Sequence, residues 1–368
     1  MPLARLQFLG DISLDGLYCC PQNHQAFTDN CLVVREVLGA CDHRIANWEA
    51  PIAGNGECNT EKKIRLATTW EAAESILPLG ITVATLANNH AFDCGTSGFL
   101  RTCEFFRKHG IMHVGAGMTA EAASKPLLFE VHGISFALFN YCGEETRPSL
   151  PATCPVHFNL VKTKGGVVSK VSDWKGKVDH VLVGLHWGHR DNLECPPPSM
   201  RRFARSIIDA GASLVYGGQF HIMQGYETWE SGCILYALGN YCFSPVGMSC
   251  GDTSWTGHPL SRKVGVACLD FHKTGPAGIA WRYFQQPEGS LLLFEDPSLG
   301  RRRSHLSRAA QLKRTEVAYR AIHRMNVVKW DVIDYIHMYG GVWRAVKRLR
   351  LRHVRRFLAW VGGRSLRS

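Results

Sequence analysis

Short apolar runs recur along the first two thirds of the chain and predict buried strands. Val, Ile, Leu and Phe dominate these runs, and most of them end in Gly, Asn or Asp. Such uninterrupted runs are typical of strands that are covered on both faces of a sheet. The runs that we assign as strands are residues 6–9, 81–86, 134–139, 178–185, 213–216 and 233–238.

Helical patterns lie between these runs. The Thr-x-x-Glu pattern at residues 68–71 predicts a capping box that opens a helix through Leu77. Residues 98–109 and 198–210 carry apolar side chains at helical spacing, and each stretch is followed directly by Gly. Residues 119–126 resemble a further short helix. Because strands alternate with helices, the pattern favours an α/β fold.

Charge is distributed unevenly along the chain. The 368 residues are 45% hydrophobic and 20% charged, which excludes an intrinsically disordered protein. The formal net charge is +11, but residues 1–300 contain 24 Lys or Arg against 28 Asp or Glu. Residues 301–368 contain 18 Lys or Arg and only three Asp or Glu. The positive charge therefore gives no reason to expect that the body of the protein binds nucleic acid.

The C-terminal region is predicted to be a separate, basic and helical extension. Residues 286–304 are rich in Gln, Pro, Gly, Ser and Arg and are expected to form a linker, so we divide the chain into residues 1–298 and 299–368. Within residues 346–361 apolar side chains share one helix face and arginines share the opposite face. Such a helix can lie on an anionic membrane surface, dock on a protein partner, or pack by its apolar stripe. Nucleic acid is the least favoured ligand, because no zinc finger or helix-turn-helix motif accompanies the arginines.

The sequence favours a cytoplasmic protein. No run of about 18 apolar residues is present, and the N-terminal apolar stretch is interrupted at Asp11, too early for a signal peptide. The 14 cysteines are scattered and form no Cys-x-x-Cys pair. We therefore expect reduced thiols, with a disulfide framework as the alternative. The basic helix leaves peripheral attachment to a membrane open.

Five polar clusters follow predicted strands or lie in loops. Asp, Glu, Asn and His supply the oxygen and nitrogen atoms that hard or borderline divalent metals bind. Open α/β sheets build their sites beyond the carboxyl ends of strands, so the clusters predict a metal site. The clusters are Gly10-Asp11, Asn47-Trp48-Glu49, Asn88-Asn89-His90 with Asp93, His186-Trp187-Gly188 and Gly217-Gly218-Gln219-Phe220-His221.

The order and spacing of these clusters resemble the CapA family of poly-γ-glutamate capsule biosynthesis proteins, within the calcineurin-like metallophosphoesterase superfamily. The resemblance covers residues 5–245. Its most specific pieces are the Asn-Asn-His-x-x-Asp-x-Gly motif at 88–95 and His-Trp-Gly at 186–188; further pieces lie at 8–11, 46–51, 208–221 and 236–241. The resemblance implies a four-layer α/β/β/α sandwich of two mixed sheets, here followed by the basic helical segment.

The resemblance also implies the metal ligands. In the superfamily one carboxylate and a hydroxide bridge two metals, and Glu49 matches that carboxylate. Asp11 and His221 are expected to hold the first metal, and Asn89 and His186 the second. The implied cofactors are one or two divalent ions, which can be Mn, Zn, Fe or Mg. Two metals in such a site generate hydroxide at neutral pH and neutralise charge on the attacked group.

His90 matches the general acid of the superfamily, which protonates the leaving oxygen. A His whose pKa lies near the working pH is suited to proton delivery. Asp93 follows three residues later and is expected to accept a hydrogen bond that orients the site. The structural alternative for Asn88 and Asn89 is turn formation, because Asn tolerates positive φ.

The chain departs from the family pattern in three places. Ser13 replaces a His that is common in the superfamily but usually absent from the family itself. Gln219 replaces the first His of a Gly-His-x-His motif; we keep it as an expected ligand, although an amide oxygen binds metal more weakly than imidazole. Arg190 stands where the family typically has Glu, and Glu194 lies close by, although we do not assign it that role. These changes leave open a single-metal site or a different metal.

Two further groups of residues have competing interpretations. Arg201, Arg202 and Arg205 can bind an anionic substrate, but such a run is more often a solvated helix face. Trp48 and Trp187 each adjoin an expected ligand, and they can either wall the site or pack in the core.

The first functional hypothesis is a metal-dependent hydrolase whose activated water attacks a phosphoester, or an amide, of an anionic small molecule or polymer. The resemblance links that substrate to poly-γ-glutamate or envelope polymer synthesis, although fold alone does not fix a substrate. The alternatives are a catalytically weak, metal-binding component of a polymer assembly complex, and a specialised enzyme that acts on a peptide or small metabolite.

Overall fold

The computed structural model describes residues 2–188, 194–244 and 259–301, together with Ser304, Ser307, Arg324 and Met325. The chain falls into two units, residues 1–319 and 320–368. The predicted amphipathic helix at 346–361 lies outside the described residues. The division of the chain at residue 298 stays a prediction.

The elements follow the expected alternation of strands and helices. The described strands, in chain order, are β1 (Ala4–Ser13), β2 (His43–Trp48), β3 (Val83–Thr85), β4 (Met112–Val114), β5 (Ala116–Gly117), β6 (Leu127–Val131), β7 (Ile134–Cys142), β8 (His157–Phe158), β9 (His180–His186), β10 (Ala212–Gly218), β11 (Tyr226–Trp229), β12 (Gly232–Leu235), β13 (Asn240–Phe243), β14 (Lys263–His272), β15 (Gly275–Gln285) and β16 (Phe294–Glu295). The described α-helices are α1 (Pro21–Leu38), α2 (Trp70–Glu74), α3 (Gly95–Lys108), α4 (Ala120–Ser124), α5 (Lys164–Trp174) and α6 (Pro198–Asp209). Short 3-10 helices cover Gly16–Cys19, Leu77–Leu79, Glu144–Thr146 and Pro259–Arg262.

Most strands lie in two mixed sheets. The first sheet has the order β16-β15-β14-β1-β2-β3-β4, and β13 also pairs with β1. Its strands β1, β2, β3 and β4 run parallel, whereas β14 pairs antiparallel with both β1 and β15. The second sheet has the order β11-β12-β10-β9-β7-β6, with parallel pairing at its centre and antiparallel pairs at both edges. Strands β5 and β8 form a small separate pair.

Three apolar layers hold the sheets and helices together. Between the two sheets, residues such as Phe8 and Leu182 form a fully buried core. On the outer face of the first sheet, α1 and α3 contribute Phe27 and Phe106 to a second core. On the outer face of the second sheet, α5 packs beside α6, and the Trp174 ring of α5 lies 6.0 Å from a Phe ring of β7. The four-layer α/β/β/α sandwich of two mixed sheets is therefore confirmed.

The boundaries of the second helix differ from the prediction by one residue at the start and three at the end. The side chain of Thr69, not Thr68, accepts the backbone N–H of Ala72 and caps α2. Thr68 instead donates its hydroxyl to the carbonyl of Leu14, 2.7 Å away. The α-helix ends at Glu74, and the chain continues as a 3-10 turn that contains a Pro, which cannot continue an α-helical ladder.

The described part of residues 286–304 does not behave as the linker expected from its composition. It contains β16, which extends the first sheet, and it buries Leu291 and Leu293. The side chain of Asn30 on α1 exchanges two hydrogen bonds with the backbone of Leu293, at 2.8 and 2.9 Å. This stretch therefore packs on the body, at a position that composition alone could not assign.

Candidate metal centre

The expected ligands come from the carboxyl ends of strands in both sheets. Asp11 lies near the end of β1 and Glu49 directly follows β2, its parallel neighbour in the first sheet. His186 ends β9, and Gly218 ends β10 beside it in the second sheet. Because parallel strands bring their carboxyl ends to the same edge, the two sheets present these residues to one another.

Asp11, Glu49 and His186 form the centre of the site. All three are at most 1% exposed, and one ligand atom from each lies within 4.8 Å of the others. Asn47 on β2 lies between them, since its amide nitrogen is 2.8 Å from Asp11 Oδ1 and 3.2 Å from both Glu49 Oε1 and His186 Nδ1. Gly218 has to be glycine here, because a Cβ atom would lie 2.4 Å from Asp11 Oδ1.

The environment of His186 favours the neutral imidazole that metals bind. Burial lowers its pKa well below the usual value, and the nearby His90 and His221 add to this effect. Its Nε2 atom lies 2.9 Å from Asn89 Oδ1, and an amide oxygen can only accept, so Nε2 carries the proton in this arrangement. The Nδ1 lone pair then faces the amide nitrogen of Asn47, 3.2 Å away, and Glu49 Oε1 lies 3.9 Å from the same atom.

Gln219 and His221 lie in a strained loop directly after β10. Their φ angles are 84° and 55°, in the left-handed region that non-glycine residues rarely adopt. The backbone N–H of Gln219 donates to Asp11 Oδ2 at 2.9 Å. The Gln219 side-chain oxygen is buried and raises the pKa of His186, yet it makes no hydrogen bond of regular geometry with any described residue.

Asn240 orients His221. The Asn240 side chain is 2% exposed, and its Oδ1 atom lies 2.8 Å from His221 Nδ1. Because the amide oxygen accepts, Nδ1 carries the proton and Nε2 keeps the lone pair that a metal needs. Asn240 starts β13 and is the register partner of Asp11 on β1, so the strand pairing places this residue beside the site.

Asn88 builds the turn that presents the next two residues. Its Oδ1 atom accepts the backbone N–H groups of His90 and Ala91, at 3.0 and 2.9 Å. Its amide nitrogen donates to the carbonyl of Trp48 at 2.8 Å and so ties the turn to the end of β2. Asn88 therefore does form a turn, but through its side-chain oxygen and not through positive φ, whereas the Asn89 side chain faces His186.

His90 and Asp93 pair with each other and with a lysine from another loop. His90 Nδ1 lies 2.5 Å from Asp93 Oδ2, and Lys62 Nζ lies 2.9 Å from Asp93 Oδ1. Burial lowers the pKa of His90, and the carboxylate of Asp93 opposes that shift. Burial likewise lowers the pKa of Lys62, again against the effect of Asp93. The geometry thus supports Asp93 as the group that orients His90.

The residues at the family departures have defined surroundings where the structure describes them. Ser13 donates its hydroxyl to Asp15 at 2.8 Å, away from the ligand cluster. Arg190 lies outside the described residues, and Glu194 is 4% exposed. A different carboxylate, Glu145, accepts the backbone N–H of the Gly that ends the His-Trp-Gly motif, at 3.0 Å.

Arg205 of α6 belongs to a structural ion network with Glu227, and Arg201 Nε lies 3.9 Å from Glu227 Oε2. Arg205 donates to Glu227 Oε1 and stacks on Trp229, with its guanidinium carbon 3.9 Å from the ring centroid. Arg201 is 3% exposed, so it is not part of a solvated face either. The tyrosine hydroxyl of Tyr236 donates to the other oxygen of Glu227 at 2.6 Å. These contacts account for Arg205 without a substrate.

Both tryptophans beside the ligands pack in the core. The Trp48 ring contacts Phe105 and Phe106, with centroids 5.9 and 5.3 Å apart, and it is 1% exposed. Trp187 is 3% exposed and donates its indole N–H to the carbonyl of Tyr236 at 3.1 Å. They support the strands that carry Glu49 and His186 rather than line an open site.

Sequence reasoning did not assign a role to Asn47, Lys62 or Asn240. Asn47 had a visible signal, because it lies two residues before Glu49 in the same cluster. Asn240 lies in one of the pieces that carry the family resemblance. Lys62 had none, because its loop shows no periodicity and its partners are 27 to 31 residues away.

The donor set fits a divalent cation. Two carboxylates and the imidazole of His186 converge within 4.8 Å, and the amide oxygen of Asn89 lies 2.9 Å from that imidazole; His221 is not part of this group of three. Carboxylate, imidazole and amide oxygen are groups that bind such metals. The buried Gln219 oxygen, which lacks a regular hydrogen bond among the described residues, is suited to a metal ligand. A divalent cation would also offset the repulsion between Asp11 and Glu49.

Residues 5–245 match the model of the PGA_cap family of bacterial capsule synthesis proteins. The chain belongs to this family. Among its PGA_cap relatives, the PGA biosynthesis protein CapA of Bacillus subtilis is 27% identical over 284 residues, covering 74% of this chain and 73% of that protein. The capsule biosynthesis protein CapA of Bacillus anthracis is 28% identical over 247 residues, covering 64% and 59%. The resemblance of the motifs to the CapA family is thus confirmed.

A weaker similarity links this PGA_cap protein to the solved structure of the Haemophilus influenzae NAD nucleotidase. It has a TM-score of 0.43 at 14% identity and covers 83% of this chain and 56% of that protein, which is too slight to support a conclusion. In the part of the chain that the structure describes, no helix combines the length and hydropathy of a membrane span. None of the described cysteines is paired in a disulfide.

Proposed function

We propose that this PGA_cap protein is a metal-dependent hydrolase of the metallophosphoesterase type, which attacks a phosphoester, or an amide, of an anionic substrate. The observation that carries the proposal is the convergence of ligand atoms from Asp11, Glu49 and His186 within 4.8 Å in a fully buried setting. The names of the relatives support an anionic polymer or its precursor as the substrate class.

The expected ligands are Asp11, Glu49, Asn89, His186, Gln219 and His221. Mn, Zn, Fe or Mg, as one ion or two, suits this mixture of oxygen and nitrogen donors. When bound, such a metal activates water and neutralises charge on the attacked group. The protein groups supply the rest of the arrangement: Asn47 spaces the two carboxylates, and Asn240 directs one imidazole.

His90 is proposed to exchange a proton with the leaving group. Asp93 accepts a hydrogen bond from Nδ1–H and so fixes the ring; in the doubly protonated ring, Nε2–H is then the group that can deliver a proton to the leaving group. His90 directly follows Asn89, whose Oδ1 atom lies 2.9 Å from His186 Nε2, which supports placing this proton donor beside the metal ligands.

The test combines metal analysis with hydrolysis of bis(p-nitrophenyl) phosphate and p-nitrophenyl phosphate. Asp11→Asn is expected to lose both metal and activity. His90→Gln should keep its metal and lower kcat by about 10²- to 10⁴-fold, the range typical for a general acid. The controls are Asp15→Asn, a buried acid outside the cluster, and His157→Gln, an exposed histidine.

Two results would contradict the proposal. The first is a wild-type protein that binds no divalent metal. The second is hydrolysis that persists unchanged in both Asp11→Asn and His90→Gln, since contaminating or metal-independent activity would then explain it.

A non-hydrolytic role in polymer assembly is the second candidate. It is favoured by Gln219, which offers a weaker ligand than the histidine usual at this position. In that case the protein would bind metal through Asp11 but hydrolyse neither ester, and His90→Gln would leave the metal content unchanged. This alternative is identified if the wild type and His90→Gln both bind metal and neither hydrolyses the two esters.

A further inference from the structure

Lys62 is a largely buried cation that reaches the site from the loop between β2 and α2. Its side chain is 13% exposed. Its ammonium nitrogen lies 2.7 Å from the carbonyl oxygen of Asn89, 2.9 Å from Asp93 Oδ1 and 2.9 Å from His90 Nδ1. One side chain therefore contacts an expected metal ligand, the proposed proton donor and the carboxylate that orients it.

The chemistry of the three contacts shows which of them are hydrogen bonds. A carboxylate oxygen can only accept, so the 2.5 Å contact between His90 Nδ1 and Asp93 Oδ2 requires a proton on Nδ1. Because Nδ1 carries a proton and donates to Asp93, it has no lone pair that could accept a hydrogen bond from the ammonium group of Lys62. The lysine thus donates to Asn89 O and Asp93 Oδ1, and only touches the His90 ring.

Asp93 connects this lysine to the rest of the loop. Its Oδ2 atom also accepts the backbone N–H of Leu66 at 2.8 Å, and its carbonyl accepts the N–H of Asn59 at 2.9 Å. Arg65 donates to the carbonyl of Lys62 at 2.5 Å and to that of Asn59 at 3.3 Å. The loop is therefore fastened on both sides of Lys62, which fixes where the ammonium group can lie.

We propose that Lys62 is a positioning residue for the site. It holds the Asp93 carboxylate and the Asn89 carbonyl, and through them it sets the ring of His90 and the placement of the Asn89 amide. It is not a substrate ligand, because its ammonium group is directed at protein acceptors. The catalytic consequence rests on the proposed hydrolase function, whereas the effect on His90 geometry does not.

The test compares Lys62→Met with Lys63→Met, which removes the same group from the exposed neighbouring residue. For Lys62→Met we expect the metal to be retained, because Asp11, Glu49 and His186 stay in place, with an unchanged KM and a kcat about 10- to 100-fold lower, the usual cost of losing an outer partner of a site. Long-range ¹H–¹⁵N spectra should show His90 as one Nδ1–H tautomer in the wild type and as an altered signal in Lys62→Met. Lys63→Met should match the wild type in every measurement.

The readouts separate positioning from simple support of the fold. A purely structural lysine would lower Tm but leave kcat and the His90 signal unchanged well below Tm, and this result overturns the inference. If Lys62→Met does not fold, Lys62→Gln provides the same comparison with a shorter, uncharged donor. If the wild type hydrolyses neither ester, the proposed function fails, but the His90 spectrum still decides the role of Lys62.

Discussion

Replacing Gly218 by Ala tests the geometry of the metal centre most directly. An added Cβ would lie 2.4 Å from Asp11 Oδ1 and 3.4 Å from His186 Nδ1, and the first distance is far inside van der Waals contact. The backbone of Gly218 is held in the second sheet, because it pairs in register with His186 on β9. The Asp11 carboxylate must therefore rotate away.

That rotation breaks two hydrogen bonds of Asp11, from the Asn47 amide at 2.8 Å and from the Gln219 backbone at 2.9 Å. Hydrogen bonds to charged groups contribute about 1.5–3 kcal/mol each, and overpacking typically costs 1–3 kcal/mol. Because part of this cost is relieved by relaxation, we expect the free energy of unfolding to fall by about 3 kcal/mol.

The assay is denaturant unfolding followed by circular dichroism, together with calorimetric titration of Mn²⁺. Gly218→Ala should lose metal affinity as well as stability, since the same side chain is displaced. Gly278→Ala in β15 is the control, because nothing lies within 4 Å of its added Cβ, and its stability should change by less than about 0.5 kcal/mol. Wild-type stability and Mn²⁺ affinity in Gly218→Ala would refute the placement of Asp11 in a metal centre.

Two further predictions concern the frame around the site. Burial raises the pKa of Asp15 to about 6 from 3.8, so the folded state binds this proton more tightly than the unfolded state does, and stability decreases between about pH 4 and pH 6. The free energy of unfolding of Asp15→Asn, measured in urea, should therefore equal that of the wild type near pH 4 and exceed it by about 3 kcal/mol at pH 7. The same difference in free energy at both pH values would contradict this cause. Buried Arg44 donates to Gln7 Oε1 and to the carbonyls of Gly39 and Leu79, so Arg44→Met should lower stability by about 3 kcal/mol. The exposed Arg35→Met is its control, and equal losses in both variants would show that the buried contacts do not matter.

The α/β class and the candidate ligands at strand ends could be predicted from local patterns, whereas the four-layer sandwich was implied by the family resemblance. The apolar runs predicted β1, β9 and β10. The polar residues at the ends of strands then gave Asp11 and His186 as candidate metal ligands. The family resemblance then added roles that spacing alone could not assign, such as Glu49 as a bridging carboxylate. The convergence of these residues in the structure follows from parallel pairing, in which all carboxyl ends reach one edge.

The remaining features depend on contacts between distant segments. Lys62 reaches residues 27 to 31 positions away, and its loop has no motif that indicates a partner. The capping residue of α2 is Thr69 rather than Thr68, because the backbone of Thr68 pairs in a β-bridge with Ile52 and its hydroxyl donates to the carbonyl of Leu14, more than 50 residues earlier. The role of Arg205 follows only from its hydrogen bond to Glu227, and Glu227 lies on a strand that the apolar pattern did not predict. Tertiary partners of this kind override local preference.

The division of the ligands between two sheets makes metal binding and sheet packing thermodynamically linked. Asp11 and Glu49 belong to the first sheet and His186 to the second, so neither sheet alone forms the centre. An ion at 100 times its dissociation constant would stabilise the packed arrangement by about 2.7 kcal/mol. Conversely, loosening the contact between Phe8 and Tyr216, whose rings lie 4.9 Å apart between the sheets, weakens ion capture without touching any ligand.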